Sequence, residues 1–313
     1  MSLHKRRAKF LVDFDGVWTD IAGQAKSVDK ARIEELTNIS GFETSFIEKC
    51  LMQVHTRIMQ TPHLFGWHSD GRISAFADED PFLLHNATVE GVGILAVEGP
   101  LQSKECLGLK KRLEEKGHID LGKLGSDIFH VGCNRYLAES GHTPLPGAMD
   151  ALRELSDLVD VVICTNFTTD LVASTLSRHG FHLQAEDGTS RLKLKGLARK
   201  NMLTADSPEG SRQAVFGDRS IWIDRGHYKS IILEEMPDVV VGDVFSLDLA
   251  LPLVLQSENE ALKDLNAYLM LTPFSSSWAK DLTQNNKIPQ LKSITHPKEL
   301  VQIANALSLA TSL

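Results

Sequence analysis

Apolar residues along this chain fall into two textures. Between residues 28 and 59 they recur at helical spacing, most clearly at Phe42, Phe46, Cys50, Val54 and Ile58, and Gly41 predicts a break between two helices. Over residues 62–99, Gly66, Gly71, Pro81, Gly91 and Gly93 punctuate short apolar pieces, which predicts a loop-rich stretch. Helical spacing resumes to Glu115 and again over residues 127–139. This half of the pattern predicts a mostly helical unit.

After His142 the texture changes. Pro144-Leu145-Pro146-Gly147 opens a helix whose apolar face is Ala148, Leu152, Leu155 and Leu158, and Val161-Val162-Ile163-Cys164 follows without polar alternation, as in a parallel strand covered on both faces. Thr168 or Thr169 caps a further helix that ends at Gly180. Strands are predicted to start at Val215-Phe216, at Val239-Val240-Val241 and at Ala267, with helices over residues 229–236, 247–265 and 297–307. With the opening strand Phe10-Leu11-Val12, the alternation predicts an α/β fold: a Rossmann-like parallel sheet with helices on both faces, built from residues 1–20 and 143–313. Residues 21–142 form the inserted helical domain.

Ligands of such sheets gather at the carboxyl ends of the strands, which selects the candidate chemistry. Asp13 and Asp15 follow the first strand two residues apart, so both point to one side, and Gly16 lets the backbone turn there. Thr165 and Asn166 follow the second run, and Asp243 follows Gly242, with Asp248 five residues on. Asp-x-Asp-Gly is not a calcium loop here, because Trp18 and Gln24 stand where that loop needs glycine and glutamate. A second Gly-Asp pair, Gly217-Asp218 with Asp224 beyond, has acids six apart and no apolar helix after it; Asp218 is expected in a turn.

Composition narrows the classes. At 313 residues, 42% apolar and 24% charged, the chain is ordinary globular material for a core plus a second module, with no apolar run long enough to span a bilayer. The basic start, His4-Lys5-Arg6-Arg7-Ala8-Lys9, leads into a short strand bearing acids and not into a signal-peptide core, so a cytoplasmic protein is expected. A net charge of -8 without a sustained basic run argues against a nucleic-acid partner. Cys50, Cys106, Cys133 and Cys164 are scattered and suggest neither a zinc site nor a disulfide framework. Walker, Gly-x-Gly-x-x-Gly, Gly-x-Ser-x-Gly and His-Glu-x-x-His patterns are absent from the sequence.

The chain resembles the haloacid dehalogenase-like hydrolase superfamily, most of whose members are phosphatases. The resemblance rests on Asp13-Phe14-Asp15-Gly16-Val17, on Thr165 after its apolar strand, and on Gly242-Asp243 with Asp248, in that order, over residues 9–20 and from 144 to the carboxy terminus. It implies a magnesium-dependent phosphatase acting on a small phosphorylated metabolite, with Asp13 as nucleophile and Asp15 as general acid/base. Asp13, Asp243, Asp248 and the Asp15 main-chain carbonyl are the implied Mg2+ ligands. Thr165, Asn166 and a lysine are the implied phosphate contacts. Lys229, at the start of the helix before Val239, fits the lysine position best, with Lys195 and Lys193 as alternatives. The acid at Asp15 favours phosphoryl transfer over carbon–halogen cleavage; transfer to a second substrate, or a non-catalytic binding protein of the same fold, are the other readings. Residues 21–142 fall where the superfamily inserts a cap that excludes water. Within it Trp67, His68, Asp70, Asp78, Glu79, Asp80 and His85 are candidate substrate contacts, although the Asp78-Glu79-Asp80 run reads more simply as a solvated turn.

Overall fold

The computed structural model describes residues 6–97, 102–183, 191–204, 211–284 and 287–310. His4 and Lys5 of the basic start, and residues 98–99 of the expected loop-rich stretch, lie outside the described residues. The chain divides into two compact units, one formed by residues 1–20 and 142–313 and the other by residues 21–141.

The first unit opens with β1 (Lys9–Val12). The chain then builds the second unit from α1 (Ala22–Ser40), α2 (Thr44–Gln60), β2 (Gly66–Ser69), β3 (Arg72–Phe76), α3 (Pro81–Leu95), α4 (Lys104–Glu115) and α5 (Leu121–Ser140). Back in the first unit come α6 (Ala148–Leu158), β4 (Asp160–Cys164), α7 (Thr169–Arg178), β5 (Leu192–Lys195), β6 (Gln213–Phe216) and β7 (Arg219–Trp222). They are followed by α8 (Gly226–Glu235), β8 (Val239–Gly242), α9 (Ala250–Glu258), β9 (Asn266–Met270), α10 (Ser277–Gln284), β10 (Leu291–Ile294) and α11 (Lys298–Ala310).

Six strands of the first unit form one sheet in the order β10-β9-β8-β1-β4-β5, and every neighbouring pair is parallel. Parallel strands need crossovers, and helices supply them, which makes this a Rossmann-like α/β fold. Both faces of β1 are covered: Phe10 and Val12 pack with Leu152, Leu155, Val172, Leu176 and Leu300, while Leu11, Val162 and Val240 of the opposite face are equally buried. Each such side chain contributes about 1.5–3 kcal/mol relative to exposure. Because β4 lies on one side of β1 and β8 on the other, the connections diverge from β1 and open a crevice at its carboxyl end.

Two of the expected elements of this unit take a different form. The strand at Val215 is β6, which pairs antiparallel with β7 outside the six-stranded sheet, and its turn holds Asp218 next to Gly217 at φ +63°. The helix expected over residues 247–265 is interrupted: a π-helical turn (Phe245–Leu249) precedes α9, and a 3-10 turn (Glu260–Leu262) follows it.

In the second unit, α1 ends at Gly41, whose φ of +70° is the left-handed conformation glycine adopts without cost. Its hairpin turns through Asp70 and Gly71, both at positive φ, which matches the twist of the flanking strands. The stretch expected to be loop-rich contains the full helix α3. Pro81 stands at its first turn, and the Asp80 carboxylate accepts N–H bonds from Phe82 (2.7 Å) and Leu83 (3.2 Å). A Cβ on Gly91 would lie 2.5 Å from Val54 Cγ1, so this glycine sets the closeness of α3 to α2. The acidic run is therefore not a solvated turn: Glu79 and Asp80 are buried, and Glu79 accepts the Phe76 N–H at 3.0 Å. Among the described residues no helix is long and apolar enough to cross a membrane.

Candidate active site

Three carboxylates meet at the end of β1. One oxygen from each of Asp13, Asp243 and Asp248 lies within 4.8 Å of the others. The first sits one residue past β1, where its N–H continues the sheet ladder to the Val241 carbonyl at 2.9 Å. The second follows β8 directly, and the third is carried by the π-helical turn. Asp243 and Asp248 are 7% and 2% exposed, which is unusual for acids and demands compensation.

Two glycines make the approach possible. A Cβ on Gly16, whose φ is +71°, would fall 1.9 Å from Asp243 Oδ2, and one on Gly242 would fall 2.2 Å from Asp248 Cβ. The sequence signature Asp-x-Asp-Gly and the pair Gly-Asp thus have a steric cause: the acids occupy the space their neighbours' side chains would fill. Gly242→Ala is expected to destabilise the chain by about 2–3 kcal/mol through forced displacement of Asp248, measured as a lower midpoint in urea unfolding.

The cation that compensates Asp13 and Asp248 is Lys200. Its Nζ donates to Asp13 Oδ1 and to Asp248 Oδ1, both at 2.7 Å, and its side chain is only 3% exposed. Burial alone would lower this ammonium, but Asp13 and Asp248 hold it well above its ordinary value. Burial in turn pushes the Asp13 carboxyl up to about 6, against the pull of Lys200 and with the repulsion of Asp248. The other oxygen of Asp248 accepts the Val244 N–H at 3.0 Å, so this acid is anchored on both sides. Pro252 in α9 has no N–H to give the Asp248 carbonyl four residues earlier; the Tyr228 hydroxyl donates to it instead, at 2.8 Å. The Tyr228 ring also lies 5.9 Å from Lys200 Nζ.

The lysine bonded to these acids is not one of those favoured from sequence. Lys229 is exposed on α8, Lys195 donates to Glu234 at 2.7 Å, and Lys193 lies 3.4 Å from Glu235. Lys200 carries no periodic signal because it lies in a turn, shaped by left-handed Leu197 (φ 52°) and Arg199 (φ 51°). Two contacts hold its backbone: its N–H donates to Asn166 Oδ1 at 2.8 Å, and its carbonyl accepts from the buried Arg225 guanidinium. Asn166 therefore positions Lys200 through this oxygen.

Thr165, 1% exposed at the end of β4, accepts the Phe167 N–H on Oγ1 at 3.1 Å, which leaves its hydroxyl proton for another acceptor. Asp15 is more open than the buried acids, with its side chain 18% exposed. Its Oδ1 lies 3.4 Å from the Thr19 hydroxyl and 4.0 Å from His142 Nε2. His142 is held by Thr175 Oγ1 (2.9 Å from Nδ1) and by edge contacts with Phe14 and Phe167, and burial pushes its imidazole down to about 4, so it is neutral at pH 7. Neither Thr19 nor His142 stood out in the sequence, since each reaches Asp15 only through the tertiary fold.

The candidate residues of the second unit have structural settings. Trp67 and His68 lie on β2, where Trp67 packs edge-on against Phe129 and His68 pairs with Glu90 at 2.8 Å. His85 is buried in α3 with Nε2 3.2 Å from the Gly125 carbonyl, and burial pushes it down to about 3. Asp70 is a turn residue, and Asp80 is a helix cap.

The acidic, oxygen-only donor set at Asp13, Asp243 and Asp248 suits a hard divalent cation. No protein-family model and no curated protein matches the chain. Solved structures similar to it carry haloacid dehalogenase-like descriptions. A HAD-hydrolase, YfnB, from Bacillus subtilis, described as bound to magnesium, is 14% identical with a TM-score of 0.43, covering 96% of this chain and 100% of its own. A 2-haloacid dehalogenase from Pseudomonas syringae pv. Tomato is 12% identical with a TM-score of 0.43, over 96% and 99%. A haloacid dehalogenase-like family hydrolase from Xanthomonas campestris is 12% identical with a TM-score of 0.43, over 98% and 94%.

Proposed function

We propose that this chain is a magnesium-dependent phosphatase of the haloacid dehalogenase-like superfamily, hydrolysing a small phosphorylated metabolite. The observation that carries the reading is the convergence of Asp13, Asp243 and Asp248 at the carboxyl end of the central strand, with Lys200 bonded to Asp13 and Asp248. Asp13, Asp243, Asp248 and the Asp15 carbonyl would hold magnesium, which would supply the positive charge that lets a carboxylate approach a phosphate dianion.

Asp13 attacks phosphorus and forms an aspartyl-phosphate as the bond to the leaving alcohol breaks. Asp15, the more open acid, gives that alcohol its proton and later takes one from the water that releases phosphate and restores Asp13. Lys200 offsets charge on Asp13 and on the incoming phosphoryl oxygens, and the Thr165 hydroxyl donates to one of those oxygens. A buried lysine already bonded to the nucleophile needs little reorganisation for this task. An acid at position 15 supports attack on a phosphate ester in preference to a carbon–halogen bond, because an alkoxide must be protonated on leaving and a halide need not be.

The test is hydrolysis of p-nitrophenyl phosphate, then of a panel of phosphorylated metabolites, with magnesium and with EDTA. Release of phosphate that is lost in EDTA and restored by magnesium is the expected result. Turnover that persists in EDTA, or no turnover on any phosphate ester, would overturn the reading.

A further inference from the structure

Two thiols face each other inside the helical unit. Cys50 on α2 and Cys106 on α4 are fully buried, and their sulfurs lie 3.1 Å apart, about 1 Å beyond the length of a disulfide bond. The alignment is fixed from both helices. Lys49 donates to Glu105 Oε1 at 2.6 Å and Gln53 to Glu105 Oε2 at 3.4 Å, while the Ser103 hydroxyl donates to Gln53 Oε1. Lys49 and Gln53 flank Cys50 in α2, and Ser103 and Glu105 flank Cys106 at the start of α4, so a polar clamp holds the two helices at the height of the sulfurs. Ser103 also accepts the Cys106 N–H at 3.1 Å, fixing the first turn of α4.

We propose that Cys50 and Cys106 are a reversible disulfide site that closes under peroxide. The two thiols differ in the sense such a site needs. Cys106 is held below its ordinary value by the hydrogen bond from Cys50, with help from Ser103, and it lies in the first turn of α4, where the helix dipole favours a thiolate. Cys50 is pushed up by that same bond and by burial, so it keeps its proton. Hydrogen peroxide is small enough to enter by local opening of the unit. The Cys106 thiolate attacks one peroxide oxygen, the O–O bond breaks, and a sulfenic acid forms with loss of hydroxide, which takes up a proton as water. Cys50 sulfur then attacks the sulfenic sulfur, its proton leaves with the hydroxyl as a second water, and the S–S bond is made. Two thiols are oxidised by two electrons and one peroxide is reduced to two waters. The bond would tie residues 56 apart in sequence and so restrict the unfolded chain.

The test uses the whole chain, reduced, then treated with hydrogen peroxide, denatured in iodoacetamide and mapped by peptide mass. The expected result is that two of the four thiols resist alkylation, the Cys50 and Cys106 peptides are joined with the loss of two hydrogens, and dithiothreitol restores all four. The oxidised chain is also expected to unfold about 5 °C or more higher than the reduced one. Cys50→Ser should lose this rise and leave Cys106 as a sulfenic acid that dimedone traps. Four alkylated thiols after peroxide, a link through Cys133 or Cys164, or over-oxidation of Cys106 without a link would overturn the proposal; the mapping needs no variant to be decisive.

Discussion

Asp13→Asn is expected to lower magnesium-dependent phosphate-ester hydrolysis by on the order of 10⁴-fold or more, because an amide cannot serve as the attacking oxyanion. The same change is expected to leave the metal-free protein at least as stable as the wild type. In the folded chain burial lifts the Asp13 carboxyl to about 6 from an ordinary 3.8, so the native state binds the proton more tightly than the unfolded chain. Stability contributed by that proton is present at low pH and is lost as pH rises between about 4 and 6, leaving a cost on the order of 1–3 kcal/mol at neutral pH. Asparagine removes the cost while keeping the shape, and Lys200 retains Asp248 as its partner. Thermal unfolding in EDTA at pH 7 against pH 4.5 checks this: the wild type should gain on acidification relative to Asp13→Asn. Loss of both activity and fold in the variant would leave Asp13 a structural acid.

The second large effect belongs to Lys200. Lys200→Ala is expected to cost about 10²- to 10³-fold in turnover and several kcal/mol of stability, since Asp13 and Asp248 would then face each other without a buried cation. Lys229→Ala, Lys195→Ala and Lys193→Ala should each stay within about twofold of wild type in turnover, because one is exposed on α8 and the others pair with Glu234 and Glu235. Kinetics on the four purified variants, with unfolding curves alongside, decides the assignment. A Lys229 variant weaker than the Lys200 variant would return the role to the residue that sequence reading favours.

The strands that carry the site were legible because they are buried on both faces: Phe10-Leu11-Val12, Val161 to Cys164 and Val239 to Val241 are apolar runs that no exposed segment would keep. The acids after them could be read for the same reason, since strand ends are where a parallel sheet opens. Edge strands were not legible. The Leu-Lys-Leu-Lys of β5 and the Leu-Lys-Ser-Ile of β10 lie at the two edges of the sheet, where Lys193, Lys195 and Ser293 are half-buried and Lys292 is exposed, so polar residues interrupt the apolar run. Helix α3 was hidden by Gly91 and Gly93, which read as breaks; Gly91 is a close-packing residue against Val54. Lys200 was invisible on different grounds. Its place is set by left-handed Leu197 and Arg199 and by the side chains of Asn166 and Arg225, a combination that leaves no period in the chain. The lysine bonded to Asp13 and Asp248 lies in a turn and not at the start of α8, with β6 and β7 between the two places in the chain.

The most direct measurement is a crystal structure of the chain grown with magnesium and beryllium fluoride, which mimics a phosphoryl group on a carboxylate. The expected result is a trifluoroberyllate on Asp13, a cation shared by Asp13 and Asp243, and fluorine contacts from Lys200 and Thr165. A bare Asp13 carboxylate still closed on Lys200, with the cation bound elsewhere or not at all, would contradict it.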